Sequence, residues 1–158
     1  MTVLVLNLAL AVVWAAMIEP FSPLNLLLGW VIGYAVLSLV SRSMGVKSVY
    51  VTKVRIAVLF FLFFIAELVK ANARVAYYTL SPLSRMRPGI VAIPLEEMSD
   101  LEMTSLANLI TLTPGTLSVD VTDDRRTLFV HFMHVEDAER ARREVKEGFE
   151  ARVLELLR

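Results

Sequence analysis

The sequence predicts a membrane α-helical protein with three N-terminal hydrophobic helices, followed by a small α+β domain of order βαββα. Three observations lead there. Val3 to Ile18, Leu24 to Val40 and Ile56 to Ala66 are apolar runs, the first interrupted only by Asn7. Three such blocks within 66 residues of a 158-residue chain exceed what one small core could hide, so lipid is the expected solvent. Residues 89–158 then change character, with short alternating runs, turn residues and a high charge density. The expected organisation is membrane helices and an interfacial stem over 1–80, and a cytoplasmic βαββα domain over 89–158.

The charge balance follows the same division. The formal net charge is zero, yet residues 1–88 carry eight Lys/Arg against two Glu, and residues 89–158 carry eight Lys/Arg against fourteen Asp/Glu. A basic membrane half suits anionic headgroups, and an acidic domain suits water. The acidic domain also argues against nucleic acid as a partner. The chain has no cysteine, which excludes disulfides, cysteine-ligated zinc or iron–sulfur sites, and thiol catalysis by this chain.

The first two apolar runs are each expected to form a helix about 25 Å long, slightly short of a hydrocarbon core of about 30 Å. No Lys or Arg precedes the first run, so a membrane helix is expected rather than a signal peptide, although Ala15-Ala16-Met17-Ile18-Glu19 would be the place for cleavage. Glu19-Pro20-Phe21-Ser22-Pro23 reads as the turn of a helical hairpin. Gly29 and Gly33 form a GxxxG, a flat stripe that lets another helix approach closely. The third helix is expected from Val49 to Leu80. It leaves lipid near Glu67 and continues as an amphipathic stem, with Glu67, Lys70 and Arg74 on one face and Tyr77 and Tyr78 at the interface.

Arg42, Lys47, Lys53 and Arg55 flank one end of the third helix, and Lys70, Arg74, Arg85 and Arg87 flank the other. Positive charge marks the cytoplasmic side, so the pattern is ambiguous; the polar domain is expected in the cytoplasm.

Within that domain, Ile90 to Leu95 reads as a strand kept at an edge or end by Pro94. Ser99-Asp100-Leu101-Glu102 is a capping box opening a helix to about Leu112. Thr113-Pro114-Gly115-Thr116 is a structural turn, with Gly115 free to take positive φ. Thr116 to Val121 and Thr127 to His134 form a hairpin. A last helix starts at Glu136 or Asp137, with Ala138, Ala141, Val145, Phe149 and Leu156 along one face and a Glu139–Arg143 surface pair.

The chemistry-bearing side chains are few. His131 and His134 lie three apart on a predicted strand, so they point to opposite faces and do not chelate one ion together. Asp120, Asp123 and Asp124 read as turn-forming carboxylates, without the spacing of a calcium loop. Arg140, Arg142, Arg143 and Lys146 alternate with Glu as a solvated helix face. No nucleophile–base pair, P-loop or GxGxxG occurs, and no metal site or cofactor is expected. Glu67 stands apart. A carboxylate near the end of a membrane span is costly unless paired or wet. Two readings remain open: an interfacial pair with Lys70 that fixes helix depth, or a place on an ion or proton route.

Ala107-Asn108-Leu109-Ile110-Thr111-Leu112-Thr113-Pro114-Gly115-Thr116, followed by Ser118-Val119-Asp120-Val121 and Leu128-Phe129-Val130-His131, resembles the E subunit of the multisubunit Mrp-type cation/proton antiporters. Arg87-Pro88-Gly89-Ile90-Val91 and the acidic–basic C-terminal helix extend the likeness to nearly the whole chain. The resemblance implies an accessory, non-catalytic subunit of a complex that exchanges Na⁺ for H⁺ across the cell membrane. Its partners would be the other membrane subunits, which carry the proton channels. Three helices and one candidate carboxylate are too little for an autonomous transporter. Related subunits occur in membrane-bound hydrogenases, so the equivalent subunit of an ion-translocating hydrogenase or respiratory complex is the second reading. A membrane-tethered binding or sensing module is the third.

Overall fold

The computed structural model describes residues 2–46 and 48–158; Lys47, one of the flanking cations, lies outside them. The chain divides into two compact units, Met1–Val58 and Leu59–Arg158.

The N-terminal unit holds α1 (Thr2–Met17), α2 (Pro23–Ser43) and the start of α3 (Val49–Thr79). α2 starts where the sequence provides a start. Ser22 is the N-cap, its hydroxyl accepts from the Asn25 amide at 3.2 Å, and Pro23 occupies the first turn, where its missing N–H costs nothing. α1 buries Asn7, Ala11 and Ala15; α2 buries Gly29, Gly33 and Leu37. Each set repeats every four residues, so each helix presents one narrow stripe, and the two helices pack on those stripes. A Cβ at Gly29 would lie 2.8 Å from the Ala11 carbonyl oxygen and 2.9 Å from Trp14 Cβ. Asn7 Nδ2 donates to the Tyr50 hydroxyl at 2.7 Å, and the Tyr34 hydroxyl donates to the Val51 carbonyl at 3.2 Å. These bonds hold the first turn of α3 against the hairpin.

Leu6, Val13, Leu27 and Val36 are exposed, as in helices whose outer surface is solvated by lipid. α2 and α3 are long and apolar enough to cross a bilayer. α1 is apolar but only 16 residues long, so the structure gives two membrane-capable helices where the sequence reading expected three.

In the C-terminal unit the order is β1 (Gly89–Pro94), α4 (Asp100–Leu112), β2 (Thr116–Val121), β3 (Thr127–Phe132), then α5 (Ala138–Arg143), a π-helical segment (Glu144–Glu150) and α6 (Ala151–Leu157). The sheet is antiparallel in the order β1-β3-β2, with a bulge between Ser118 and Asp120. Pro94 closes the edge strand β1, where no ladder partner is lost. Val91, Ile93, Leu128, Val130 and Phe132 project from one face of the sheet onto Leu106 and Ile110 of α4 and Ala141 and Val145 of the last helix. The other face leaves Ile90, Leu117 and Val119 exposed.

The Ser99 hydroxyl accepts from the Glu102 amide, and Glu102 reaches back to the Ser99 N–H at 2.7 Å, which completes the capping box. Arg158 Nε adds a bond to the second Glu102 oxygen at 2.9 Å. The Ser99 amide first, then the Arg158 guanidinium, hold this carboxyl below its ordinary range. In the β2–β3 turn, the Thr122 hydroxyl and the Arg126 amide bond Asp124 and lower its pKa, so this aspartate shapes the turn.

Four expectations need correction. β3 ends at Phe132, so His134 lies beyond the strand, and the argument from opposite strand faces does not apply to it. The last helix does not keep one α-helical face: Ala138 is exposed, and Val153 and Leu154 are the buried residues of α6. The π-helical segment accounts for the shift in α6, because its wider turn rotates the residues that follow it; Ala138 lies before it, at the start of α5. Glu139 pairs with Arg142, and Arg140 with Glu144, instead of Glu139 with Arg143. Arg142 and Lys146 are not merely solvated: they donate to the carbonyls of Ala92 at 2.8 Å and Pro94 at 3.0 Å, tying the last helix to the edge strand.

Candidate functional site

The stem half of α3 and the last helix face each other within the C-terminal unit. The apolar end of their contact is an edge-to-face pair of Phe63 and Phe149, with ring centroids 5.5 Å apart. The Arg152 guanidinium lies 4.0 Å over the Phe63 ring, and Arg152 also donates to the carbonyls of Glu147 and Gly148. At the polar end, Tyr78 stacks on His134 at 4.4 Å. His134 Nδ1 accepts from the Arg87 amide at 3.2 Å, and its Nε2 lies 3.3 Å from Glu136. His134 thereby fastens the stem to the end of the sheet.

Between these ends lies a cleft of about 680 Å³. One wall is α3, with Glu67, Lys70 and Arg74 at helical spacing, as the sequence predicts. The opposite wall carries Arg140, Arg143, Glu144 and Glu147. The Thr113–Thr116 turn lies at the floor. Thr113 Oγ1 donates to the Leu109 carbonyl at 2.9 Å, and the Met133 amide donates to the Gly115 carbonyl at 2.8 Å. Gly115 has φ of 88°, and a Cβ there would sit 3.4 Å from Val75 Cγ2 of α3. The positive φ is what favours glycine here; a Cβ would make only ordinary contact with Val75.

Glu67 and Lys70 pair at 2.7 Å, with side chains 23% and 65% exposed. Both line the same cleft as Thr113, Pro114 and Gly115, so the structure brings those predicted residues together. Gly29 and Gly33 belong to the other unit, where they pack against α1. Among the described residues, no three His, Asp or Glu side chains converge as metal ligands.

Sequence reasoning missed Asn7, Arg143 and Glu150 as residues of interest. Asn7 is fully buried, with the Tyr50 hydroxyl as its partner. Its isolation within an aliphatic run was the signal, since a polar residue at membrane depth needs a partner. Glu150 is 2% exposed; its carboxylate accepts from the Glu96 amide at 2.7 Å and lies 3.8 Å from Lys146. It staples the loop after β1 to the last helix, and no local pattern marks it.

The fold and cleft define a class: a small membrane protein with apolar helices and a compact polar domain. The comparisons specify the family. Residues 7–156 match the family described as "MNHE: Na+/H+ ion antiporter subunit". The chain is 34% identical to the Na(+)/H(+) antiporter E subunit of Alkalihalophilus pseudofirmus, covering 97% of this chain and 96% of that one. It is 37% identical to the corresponding E subunit of Bacillus subtilis, covering 98% of each. Among solved structures, it resembles a chain of the Mrp complex from Dietzia sp. DQ12-45-1b, with TM-score 0.51 and 29% identity over 65% of this chain and 96% of that one. A chain of the membrane-bound sulfane sulfur reductase, an archaeal respiratory membrane complex, gives TM-score 0.50 and 27% identity over 85% of this chain and 84% of that one. The chain belongs to the family of Na⁺/H⁺ antiporter E subunits.

Proposed function

We propose that this chain is an accessory membrane subunit of a multisubunit Na⁺/H⁺ antiporter, required for assembly of the complex and not itself an enzyme. The observation that carries this is likeness over nearly the full length of both chains to antiporter E subunits, membrane helices and polar domain together. The partners are the other membrane subunits and the surrounding bilayer, and Na⁺ and H⁺ are the ions of the whole complex. No nucleic acid or cofactor takes part in this reading.

α1 joins α2 and α3 as a third, short span, supported by its stripe-to-stripe packing on α2 and its exposed aliphatic surface. Residues 1–80 form the membrane part and stem, and 89–158 a domain in the cytoplasm. Lys70, Arg74, Arg85 and Arg87, just before that domain, support the cytoplasmic side. The cysteine-free sequence allows a clean test. A single cysteine at Asp123, in the β2–β3 turn, should resist a membrane-impermeant thiol reagent in intact cells and react after permeabilisation. Labelling in intact cells would reverse the orientation.

Function is tested by deletion. Removing this chain from cells that express the other antiporter subunits should abolish recovery of the complex and Na⁺-dependent growth; full exchange without it would reject the proposal. The likeness to the sulfane sulfur reductase chain supports a second reading, the equivalent subunit of a membrane-bound respiratory or hydrogenase complex. Neighbouring genes for redox subunits, in place of antiporter subunits alone, would favour it. A membrane-tethered sensor would be stable without large partners.

A further inference from the structure

We infer that the cleft between the stem of α3 and the last helix binds the headgroup of an anionic phospholipid, with Arg74 and Arg143 as the phosphate ligands. The cleft is lined by four cations and three carboxylates. Two of the cations are already engaged: Lys70 with Glu67, and Arg140 with Glu144. Arg74 and Arg143 both line it, both are exposed, and neither has a hydrogen bond or ion pair among the described residues. Two free guanidiniums on opposite walls suit an oxyanion, whose oxygens match their forked N–H donors.

Polarity along the cleft selects a lipid over free phosphate. Its two ends differ: the edge-to-face pair of Phe63 and Phe149 forms one, with Arg152 covering the Phe63 ring from outside the cleft lining, and Arg74 with Arg140 forms the other. From Phe63, inside the apolar run, to Arg74 is about 16 Å along the helix axis. This gradient runs in the direction in which α3 leaves the hydrocarbon. An acyl chain fits at the aromatic end while the phosphate sits at headgroup level. Tyr77 and Tyr78, in edge-to-face contact at 5.3 Å, flank the cationic end as an interface belt does. Glu147, on the same wall as Arg143, has no side-chain partner among the described residues and opposes the anion.

The test titrates the full-length chain in mild detergent with short-chain phosphatidylglycerol, short-chain phosphatidylcholine and inorganic phosphate, with bound adducts counted by native mass spectrometry. Phosphatidylglycerol should bind in preference to both others. R74Q/R143Q should weaken it by roughly 25-fold, about fivefold for each charge removed. E147Q should strengthen it by about fivefold. Equal binding of the two lipids, phosphate binding as tight as phosphatidylglycerol, or undiminished binding by a folded R74Q/R143Q would overturn the site. If that double variant loses its helical circular dichroism, E147Q decides: stronger binding supports the site, and unchanged or weaker binding overturns it.

Discussion

Gly33 of α2 lies directly against the side chain of Asn7 on α1: the first carbon of any side chain at position 33 would occupy the place of Asn7 Oδ1. Leu10 Cβ, 3.4 Å from the same point, closes the remaining space. The GxxxG of α2 is therefore filled by a helix of the same chain. Gly33→Leu should force the hairpin apart, at about 1–3 kcal/mol, and lower recovery of the intact complex. Gly29→Leu should do the same, since the Ala11 backbone stands in its way. Adding Asn7→Ala to Gly33→Ala should restore part of the loss. Unchanged recovery of complex with either leucine would contradict this packing.

The Thr113-Pro114-Gly115-Thr116 turn should tolerate no side chain at its third position. Gly115→Val must either take a positive φ or break the bond to Met133, and its branched side chain would meet Val75. The expected loss is about 1–3 kcal/mol, read as a lower denaturation midpoint of the purified chain. A midpoint equal to wild type would mean that the turn is not under this constraint.

Glu102 should make the polar domain acid-sensitive. Its carboxyl is lowered in the folded state from an ordinary value of 4.5, first by the Ser99 amide and then by Arg158. A lowered folded pKa gives stability that is fully present above pH 4.5 and is lost as pH falls through the lowered value. Glu102→Gln should flatten that acid limb, and Arg158→Ala should reduce its slope. Identical stability–pH curves for wild type and Glu102→Gln would remove Glu102 as the cause.

Glu67 should matter more for assembly than for ion exchange. Glu67 is paired with Lys70 at 2.7 Å, one helical turn away. A carboxylate held by a cation one turn along the same helix, near the end of an apolar run, has the arrangement of a polar anchor. Glu67→Gln should leave the complex formed and exchange at roughly half of wild type or better. Glu67→Leu, which removes the polar anchor, should lower assembly. A Glu67→Gln complex that assembles normally but exchanges no Na⁺ would move this residue to the ion route.

Much of this was legible because the signals are local. The capping box at Ser99 and Glu102 acts within one helical turn, and the Thr113–Thr116 turn depends on residues next to each other, so both read directly from sequence. The α3 stem was legible because Glu67, Lys70 and Arg74 repeat at helical spacing. The wall opposite it was not. Arg143 meets the same cleft as Arg74 only because the last helix folds back 69 residues later. The π-helical segment left no mark in the hydrophobic pattern, and it shifted burial from Leu156 to Val153 and Leu154. Asn7 was visible as an interruption, but its partner Tyr50 lies 43 residues away.

The central claim is membership in a multisubunit antiporter, and purification tests it most directly. An affinity-tagged copy of this chain, expressed in its native cells and extracted in mild detergent, should bring down the other antiporter subunits, identified by mass spectrometry. Gly33→Leu should release them. Recovery of the wild-type chain alone and stable, or with redox subunits in place of antiporter subunits, would contradict the account.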